Sequence, residues 1–363
     1  MRNMTTMHRR KFLGGLASAT LLTAVPASSQ PPAPGVTKPA RLQAGDTLGL
    51  VTPATYLTEE QLREAIEALA QLGFKVRYTS NMLVRKGYLG GTDQQRADDI
   101  NQFFADASIS GIFCGRGGYG SARILPYLDY EVIKSNPKVF MGYSDITAML
   151  YAIYKKAGLV CFHGPMGTSD YNAFTTQYVK DVLINPHPTL TYERPVLAPV
   201  TPLPADDGKR DTGSDEASVD SIITVVPGTA EGVLVGGNLS LVTSLCGTAY
   251  DLDMRDKLVF LEEVGEEPYR IDRMLTQLLL DPTKLPAAAG VVLGVFSDCE
   301  APDEHRSLSL GQVLYDRLAG LNIPILYGLS FGHIKHNLTL PVGIRARLDA
   351  NQKTLTLLEA AVK

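Results

Sequence analysis

The sequence has no tryptophan, four cysteines, and no apolar run of the roughly 18 residues that a membrane-spanning helix requires. The longest candidate, Phe12 to Val25, is interrupted by glycines and polar residues, so a polytopic membrane protein is excluded. The cysteines are far apart and form no CxxC pair, which argues against a disulfide framework and a zinc site. The sequence therefore predicts four buried free thiols, at Cys114, Cys161, Cys246 and Cys299, with a single disulfide bridge as the alternative.

Basic residues are also in short supply. The 363 residues include 34 lysines and arginines and 38 aspartates and glutamates, a formal net charge of -4. Residues 1–27 hold four of the bases and no acid, so the rest of the chain has 30 bases against 38 acids and a net charge of -8. Such an acidic chain lacks the positive surface that nucleic acid binds, and nucleic acid is excluded as a partner.

The amino terminus has the order of an export signal. A basic stretch with Arg9 and Arg10 precedes a short apolar region, and Val25 to Ala27 offers small residues to a signal peptidase. The paired arginines before Lys-Phe-Leu resemble a twin-arginine signal, which exports folded proteins. A basic amphipathic helix is the simpler interpretation. We expect a signal peptide over residues 1–27, an extended proline-rich tether over 28–41, and a periplasmic location.

From Asp46 onward, strand patterns alternate with helix patterns. A short apolar strand begins at Leu48, and the capping box Thr58 to Gln61 opens a helix. A second capping box, Thr92 to Gln95, precedes a strand at 111–114 and another that starts at 139. Strands separated by helices of this length form βαβ units, so the sequence predicts an α/β fold with a doubly wound parallel sheet over residues 42–184.

A proline-rich stretch separates this region from the rest of the chain. Seven prolines and a polar, acidic run lie between Asn185 and Gly228, which predicts a linker over 185–228. Residues 229–363 predict a smaller mixed α/β domain that ends in a hairpin. Its main predicted elements are strands at 257–262, 290–296 and 323–329 and helices at 269–280 and 310–318.

Ser144 lies at the sharpest turn that the sequence predicts. The strand from Lys138 turns through Gly142 into a helix, which would expose the Ser144 hydroxyl at the carboxyl end of the sheet and direct helix N–H groups toward it. The pattern is half of a GxSxG nucleophile elbow, because Ile146 stands at the second glycine position. The simpler interpretation is that Ser144 only caps the helix.

A glycine-rich loop, Gly115-Arg-Gly-Gly-Tyr-Gly120, follows the third strand. Its backbone N–H groups could bind an anion, either a phosphate or a tetrahedral oxyanion. The letters satisfy GxGxxG, but two features argue against a dinucleotide site. Pro126 interrupts the next helix, and the next strand does not end in the acid that such a site requires. A tight turn is the simpler interpretation.

A serine nucleophile needs a base, and the base needs an orienting carboxylate. His163 and His333 both follow a predicted strand directly, and their positions alone do not separate them; His336 lies nearby. Glu262 and Glu263 end a strand of four apolar residues, so one of them is expected to point into a cleft.

The chain resembles the LD-carboxypeptidase family of serine peptidases, which also contains the microcin C immunity peptidases. The resemblance runs from about Arg41 to Leu358 and rests on motifs that occur in the family's order. They are GTDQQRADDIN (91–101), RGGYGSARILPYLD (116–129), MGYSDIT (141–147), FHGPM (162–166), GGNLSLV (236–242), FLEEVGEEPYRIDRML (260–275) and GHIKHNLTLPVG (332–343).

This resemblance implies a Ser-Glu-His triad at Ser144, Glu262 and His333. Glu262 is preferred over Glu263 because the family pattern is Leu-Glu followed by a variable acid, and strand alternation puts the two acids on opposite faces. The resemblance also implies a flavodoxin-like amino-terminal domain, a triad assembled across the cleft between two domains, and a homodimer. No metal and no cofactor are expected.

The remaining implied site residues lie on the two turns described above. Oxyanion donors would be the backbone N–H of Asp145 and that of Gly117 or Gly118. The expected reaction is hydrolysis of an L,D-peptide bond that releases D-alanine from a peptidoglycan tetrapeptide or muropeptide. Because that leaving group has a free carboxylate, a cation is expected near the cleft, and Arg116 is the candidate.

Two features bear on the substrate. Several family members act in the cytoplasm on recycled muropeptides, whereas export would put this chain beside the cell wall. The immunity peptidases hold their nucleotide on an aromatic platform that includes tryptophan, which this chain lacks. A peptidoglycan peptide is therefore the expected substrate, and an aminoacyl or peptidyl nucleotide is the alternative.

Three other classes of protein fit parts of the pattern. A non-catalytic nucleotide-binding or ligand-binding protein would use the glycine-rich loop for phosphate. A periplasmic receptor explains export and a cleft, but not the coincidence of Ser144, Glu262 and His333. A cysteine hydrolase would use Cys114, which lies inside a strand end rather than at a turn.

Overall fold

The computed structural model describes residues 35–192, 201, 203 and 222–363. The predicted signal peptide lies outside the described residues, as do residues 28–34 of the predicted tether. Thr37, in the described part of that tether, forms a parallel bridge with Leu159. This part of the tether therefore packs against the fold.

The first half of the described chain alternates strands with helices. In order, they are β1 (Thr47–Val51), α1 (Glu59–Gln71), β2 (Lys75–Arg77), α2 (Asp93–Ala105), β3 (Gly111–Cys114), α3 (Ser121–Ile124), α4 (Tyr130–Ser135), β4 (Val139–Gly142), α5 (Thr147–Ala157), β5 (Cys161–His163) and α6 (Ala173–Leu183).

The second half is richer in strands. It contains β6 (Leu190–Thr191), β7 (Ile223–Val226), β8 (Thr229–Asn238), α7 (Leu239–Ser244), β9 (Lys257–Val264), α8 (Pro268–Leu280), β10 (Gly290–Ser297), α9 (Leu310–Leu318), β11 (Ile325–Tyr327), β12 (Leu340–Val342), β13 (Arg345–Asp349) and β14 (Thr354–Leu357).

Two sheets organise these elements. The first has the order β12-β5-β4-β3-β1-β2 and is parallel except for β12, which runs antiparallel to β5. Its parallel part has the flavodoxin-like order 2-1-3-4-5, so the predicted fold class is confirmed. The second sheet has the order β6-β14-β13-β8-β9-β10-β11-β7, with β8 to β11 parallel at its centre.

Side-chain caps fix where the first two long helices begin. The Thr58 hydroxyl accepts a hydrogen bond from the Gln61 N–H, and the Gln61 side chain accepts one from the Thr58 N–H. Thr92 and Gln95 do the same at α2, so both predicted capping boxes are confirmed. The apolar face of α1 then packs into the core through Leu62, Ala65 and Leu69.

Three short strands are elements that the sequence pattern does not show. β6 and β7 lie within the predicted linker and form the two edges of the second sheet. β12 lies in the predicted carboxyl-terminal domain but pairs with β5 of the first sheet. Strands of two to four residues are too short for a periodic pattern, and only tertiary pairing defines them. The domain boundaries stay predictions.

All four cysteines are free, as predicted; Cys246 is half-buried and the others are buried. Burial raises the pKa of each thiol, including Cys114 inside β3. None of the described helices is long and apolar enough to cross a membrane. The described ranges also contain no cluster of three or more residues arranged to bind a metal ion.

Candidate active site

Ser144 lies two residues after the end of β4 and has a left-handed backbone, with φ at 62°. A serine pays about 1–2 kcal/mol for this conformation, which is typical of a nucleophile held at a sharp strand-to-helix turn. Ser144 is the first residue of a short 3-10 turn, Ser144–Ile146, whose amino-terminal cap residue is Tyr143. The cap residue of α5 is Ile146. The interpretation of Ser144 as a helix cap is therefore wrong.

The half-matched GxSxG pattern has a steric explanation. A side-chain carbon on Gly142 would lie 2.9 Å from a methyl carbon of Ile146, closer than such atoms pack. Glycine two positions before Ser144 thus makes room for the residue two positions after it. Because Ile146 is buried against Gly142, this turn keeps its shape without a second glycine.

The structure brings Ser144, His333 and Glu262 into one hydrogen-bonded chain. The Oγ of Ser144 lies 2.9 Å from Nε2 of His333, and Nδ1 of His333 lies 2.8 Å from Oε2 of Glu262. The serine comes from the first sheet, Glu262 from β9 of the second, and His333 from the loop after β11. The three side chains meet only because the two sheets pack together.

The two neighbouring glutamates separate as strand alternation predicts. Glu262 is fully buried and faces His333. Glu263 points away from His333 and accepts hydrogen bonds from the side chain of Asn238 at 2.9 Å and from the backbone N–H of Ser240 at 2.8 Å. Glu263 therefore fixes the start of α7 and does not contact the imidazole of His333.

Charge in the site favours a polarised histidine. Burial by itself raises the pKa of Glu262, but its contacts with His163 and His333 outweigh burial and lower this pKa to about 2. Burial lowers the pKa of His333, whereas the hydrogen bond to Glu262 and its charge raise it above 6.5 on balance. An ionised carboxylate only accepts hydrogen bonds, so Nδ1 of His333 carries the proton and Nε2 accepts from the Ser144 hydroxyl.

The glycine-rich loop lies against the serine. A side-chain carbon on Gly117 would approach Ser144 Cβ at 3.0 Å and the backbone N of Asp145 at 3.4 Å, so a larger residue here would press on the serine. The next residue, Gly118, has φ at 107°. The Thr55 N–H donates to the Gly117 carbonyl at 3.3 Å and fixes that peptide. The predicted oxyanion segments are therefore adjacent.

The side chain of Asp145 connects these two segments. The Asp145 carboxylate accepts a hydrogen bond from the Ser121 N–H at 2.7 Å. The backbone carbonyl of Asp145 accepts one from the Ser121 hydroxyl. Arg96, buried in α2, donates to the carbonyl of Gly120 at 2.9 Å and to that of Pro53. The loop beside Ser144 is thus held by buried polar groups on two sides.

Arg116 is half-buried next to Gly117. Within the part of the chain that the structure describes, the guanidinium of Arg116 makes no hydrogen bond and no ion pair. The nearby Arg123, by contrast, makes two hydrogen bonds to Asp93 at 2.9 and 2.7 Å. The assignment of Arg116 as the cation near the cleft stays a prediction.

The other candidate histidines have different surroundings. His336 packs its ring against Phe174, with centroids 5.8 Å apart, and does not join the chain of hydrogen bonds from Ser144. His163 is fully buried and faces the second oxygen of Glu262, with Nε2 3.7 Å from Oε1. The choice between His163 and His333, open at the level of sequence, is decided by which ring reaches Ser144.

Sequence reasoning missed Arg96, Thr55 and the side chain of Asp145. Arg96 and Asp145 both lie within the quoted motifs, so the motifs marked the segments but not the roles. A buried arginine that binds carbonyl groups has no periodic signature, because its partners are far away in sequence. Thr55 follows β1, where strand-end residues gather at one edge of the sheet.

A two-sheet α/β fold with a strained serine, an imidazole and an ionised carboxylate in hydrogen-bonding order defines a serine-type hydrolase. Residues 48–164 match the family model of the LD-carboxypeptidase N-terminal domain, and residues 231–348 match that of the C-terminal domain. The chain belongs to the LD-carboxypeptidase family and is a serine carboxypeptidase.

Individual relatives cover nearly the whole described chain. A Bacillus subtilis protein named "probable murein peptide carboxypeptidase" is 38% identical over 330 residues, which are 90% of this chain and 95% of the relative. The murein tetrapeptide carboxypeptidase of Pseudomonas aeruginosa is 28% identical over 321 residues, 84% and 94% of the two chains.

The fold is also similar to solved structures of the microcin C7 self-immunity protein MccF, whose Escherichia coli sequence is 28% identical to this chain. One of them, a complex with glutamyl sulfamoyl guanosine, aligns with a TM-score of 0.78 and 25% identity. The alignment covers 90% of this chain and 99% of that one.

Proposed function

We propose that this carboxypeptidase hydrolyses the L,D-peptide bond before the terminal D-alanine of a peptidoglycan tetrapeptide stem. The observation that carries the proposal is the hydrogen-bonded chain of Ser144, His333 and Glu262, with distances of 2.9 and 2.8 Å. The names of the relatives from Bacillus subtilis and Pseudomonas aeruginosa, both murein peptide carboxypeptidases, support this substrate class.

In the proposed mechanism, the Ser144 hydroxyl attacks the carbonyl carbon of the L,D bond while Nε2 of His333 takes its proton. The backbone N–H groups of Asp145 and of Gly117 or Gly118 bind the oxyanion. His333 then donates the proton to the nitrogen of D-alanine, which leaves as a free amine. Water, deprotonated by His333, attacks the acyl carbon, and His333 returns that proton to the Ser144 oxygen as the acyl group leaves.

Glu262 has two functions in this scheme. Its ionised carboxylate keeps the proton of His333 on Nδ1, which leaves Nε2 free to act as the base. When His333 becomes an imidazolium after proton transfer, the same carboxylate stabilises that positive charge at 2.8 Å inside a buried site.

The test is an assay of D-alanine release from a disaccharide tetrapeptide, with the diastereomer that has a D-configured third residue as control. We expect release only from the L,D substrate, because the oxyanion groups and Ser144 address one face of the carbonyl. A slow ester analogue should leave an acyl group on Ser144 that mass spectrometry detects. Equal release from both diastereomers, or no release from either, would contradict the proposed specificity.

Arg116→Gln should weaken recognition of the leaving carboxylate. A lost charge-assisted hydrogen bond is worth about 1.5–3 kcal/mol, so kcat/KM on the tetrapeptide should fall roughly 10- to 150-fold. The same variant should treat the tetrapeptide and its carboxyl-terminal amide alike, whereas the wild type should prefer the free acid. Arg123→Gln is the matched control, because Asp93 already holds that guanidinium. If Arg116→Gln keeps the wild-type preference, another group binds the carboxylate.

Hydrolysis of an aminoacyl or peptidyl nucleotide is the second candidate function. Structural similarity to MccF, which has been solved with glutamyl sulfamoyl guanosine, favours it. The absence of tryptophan argues for the peptidoglycan peptide. Assays of the same preparation on a peptidyl nucleotide and on the disaccharide tetrapeptide decide between the two by the ratio of kcat/KM values.

We further propose export through the twin-arginine route, a periplasmic location and a homodimer. The first two rest on the sequence of residues 1–27, and the dimer rests on the family resemblance. Fractionation of cells that express the full chain, and light scattering of the purified protein, test them independently of the catalytic assay.

A further inference from the structure

A second histidine lies on the far side of Glu262. His163, at the end of β5, is fully buried, and its Nε2 lies 3.7 Å from Oε1 of Glu262. His333 contacts the other oxygen, Oε2, at 2.8 Å. The carboxylate therefore lies between two imidazoles, one positioned by the first sheet and one by the second.

The surroundings of His163 are otherwise apolar. The rings of Tyr143, Phe260 and Phe331 pack around the imidazole, with centroids 5.9, 5.4 and 6.2 Å away. Among the residues that the structure describes, neither ring nitrogen of His163 has a hydrogen-bond partner, and neither does Oε1 of Glu262. Buried polar atoms rarely stay unpaired, and these two groups face each other.

A small movement would join them. The separation of 3.7 Å between Nε2 and Oε1 exceeds an ordinary N–H···O hydrogen bond by less than about 1 Å. The terminal torsion of a glutamate is soft, so rotation of the carboxylate of Glu262 changes this distance readily. With the proton on Nε2, His163 is a donor and Oε1 is the acceptor that it faces.

We propose that His163 is a positioning residue that donates its Nε2–H to Oε1 of Glu262 and so fixes the plane of the carboxylate that orients His333. This inference rests on the proposed function, since it assigns a task to His333 as base. With both oxygens bound, the carboxylate cannot rotate away from Nδ1 of His333. A second donor also keeps the carboxylate ionised in an apolar site.

The backbone explains why this residue suits the task. His163 is paired in register with Gly142 of β4, two residues before Ser144. The first sheet thus places both the nucleophile and the second donor, while the second sheet supplies the carboxylate between them. A contact from His163 to Glu262 therefore sets the position of one sheet relative to the other at the reacting atoms.

Few other titratable groups of the described structure act on the pair formed by Glu262 and His333. They are Tyr143, Glu263 and Cys299. Burial raises the pKa of Tyr143 and Cys299, so both stay neutral across an assay range near neutrality. Glu263 is present in every variant compared below, so a shift that follows a change at position 163 reports the Glu262–His333 pair.

The experiment compares His163→Leu, which fills space without a donor, with His163→Gln, which keeps one. We expect His163→Leu to lower kcat on the disaccharide tetrapeptide by about 10- to 100-fold with little change in KM, as loss of an orienting partner does elsewhere. The acid limb of kcat/KM should move to lower pH, because a misaligned carboxylate raises the pKa of His333 less. His163→Gln should recover most of kcat, and His336→Leu should match the wild type.

Several results would overturn this proposal. A folded His163→Leu variant with wild-type kcat and an unmoved acid limb would do so, and so would equal losses in the Leu and Gln variants. If His163→Leu does not fold, NMR of the wild type with isotope-labelled histidine decides: the proposal requires the Nε2–H tautomer at position 163, and Nδ1–H refutes it. That measurement needs no substrate, so failure of the wild type on the tetrapeptide would refute the proposed function alone.

Discussion

Ser144→Ala should abolish D-alanine release, with kcat lower by on the order of 10⁵- to 10⁶-fold. The hydroxyl forms the acyl bond in the proposed mechanism, and no other described hydroxyl lies within hydrogen-bonding distance of Nε2 of His333. Alanine keeps the left-handed turn as strained as serine does, so the free energy of unfolding should change by less than about 1 kcal/mol. Rate assays and denaturant unfolding on the same samples measure the two quantities.

Two further variants sharpen this prediction. Ser144→Gly should be equally inactive but more stable than the alanine variant by roughly 1 kcal/mol, because glycine adopts a φ of 62° without strain. Cys114→Ala should keep kcat within a few fold, since that thiol is buried in β3 with a raised pKa. Loss of activity in Cys114→Ala together with retention in Ser144→Ala would assign the nucleophile to the thiol.

Glu262→Gln should lower kcat by on the order of 10⁴-fold while leaving KM nearly unchanged. The amide of glutamine can donate to Nδ1 of His333 and so favour the tautomer with the proton on Nε2, which cannot accept the proton of Ser144. Glu263→Gln is the matched control one residue away. Its side chain contacts Asn238 and Ser240 rather than His333, so it should affect stability more than kcat.

The contact between Glu262 and His333 also predicts how kcat/KM depends on pH. Catalysis needs neutral His333, and its pKa is raised above 6.5, so wild-type kcat/KM should be full at higher pH and fall as pH drops through that raised pKa. Without the charge of Glu262, burial lowers the pKa of His333 and only the weaker attraction of Glu263 opposes it. The acid limb of Glu262→Gln should therefore lie at lower pH. An acid limb that stays in place would contradict the proposed coupling of Glu262 to His333.

Helices and strands that depend on signals between neighbouring residues were largely predicted from the sequence. Capping residues predicted the helices α1 and α2, and apolar patterns predicted α9 and the strands β1, β3, β4, β9 and β10, because these signals act within a few residues. The central strand β8 of the second sheet was not predicted. The sequence also separated Glu262 from Glu263 once the family resemblance marked the first, because strand geometry alone puts neighbours on opposite faces. Edge strands of two to four residues escaped it.

Other features depend on atoms that are distant in the chain, and only tertiary structure decided them. His163 and His333 both follow a predicted strand, and the sequence does not distinguish them. The contact of His333 with Ser144, 189 positions away in the chain, identifies His333 as the histidine that reaches the serine. His163 instead faces the remaining oxygen of Glu262. Local sequence determines where a strand ends and which face a side chain occupies, whereas the packing of one sheet on the other determines which strand ends meet. The chemistry of this protein lies at that meeting point.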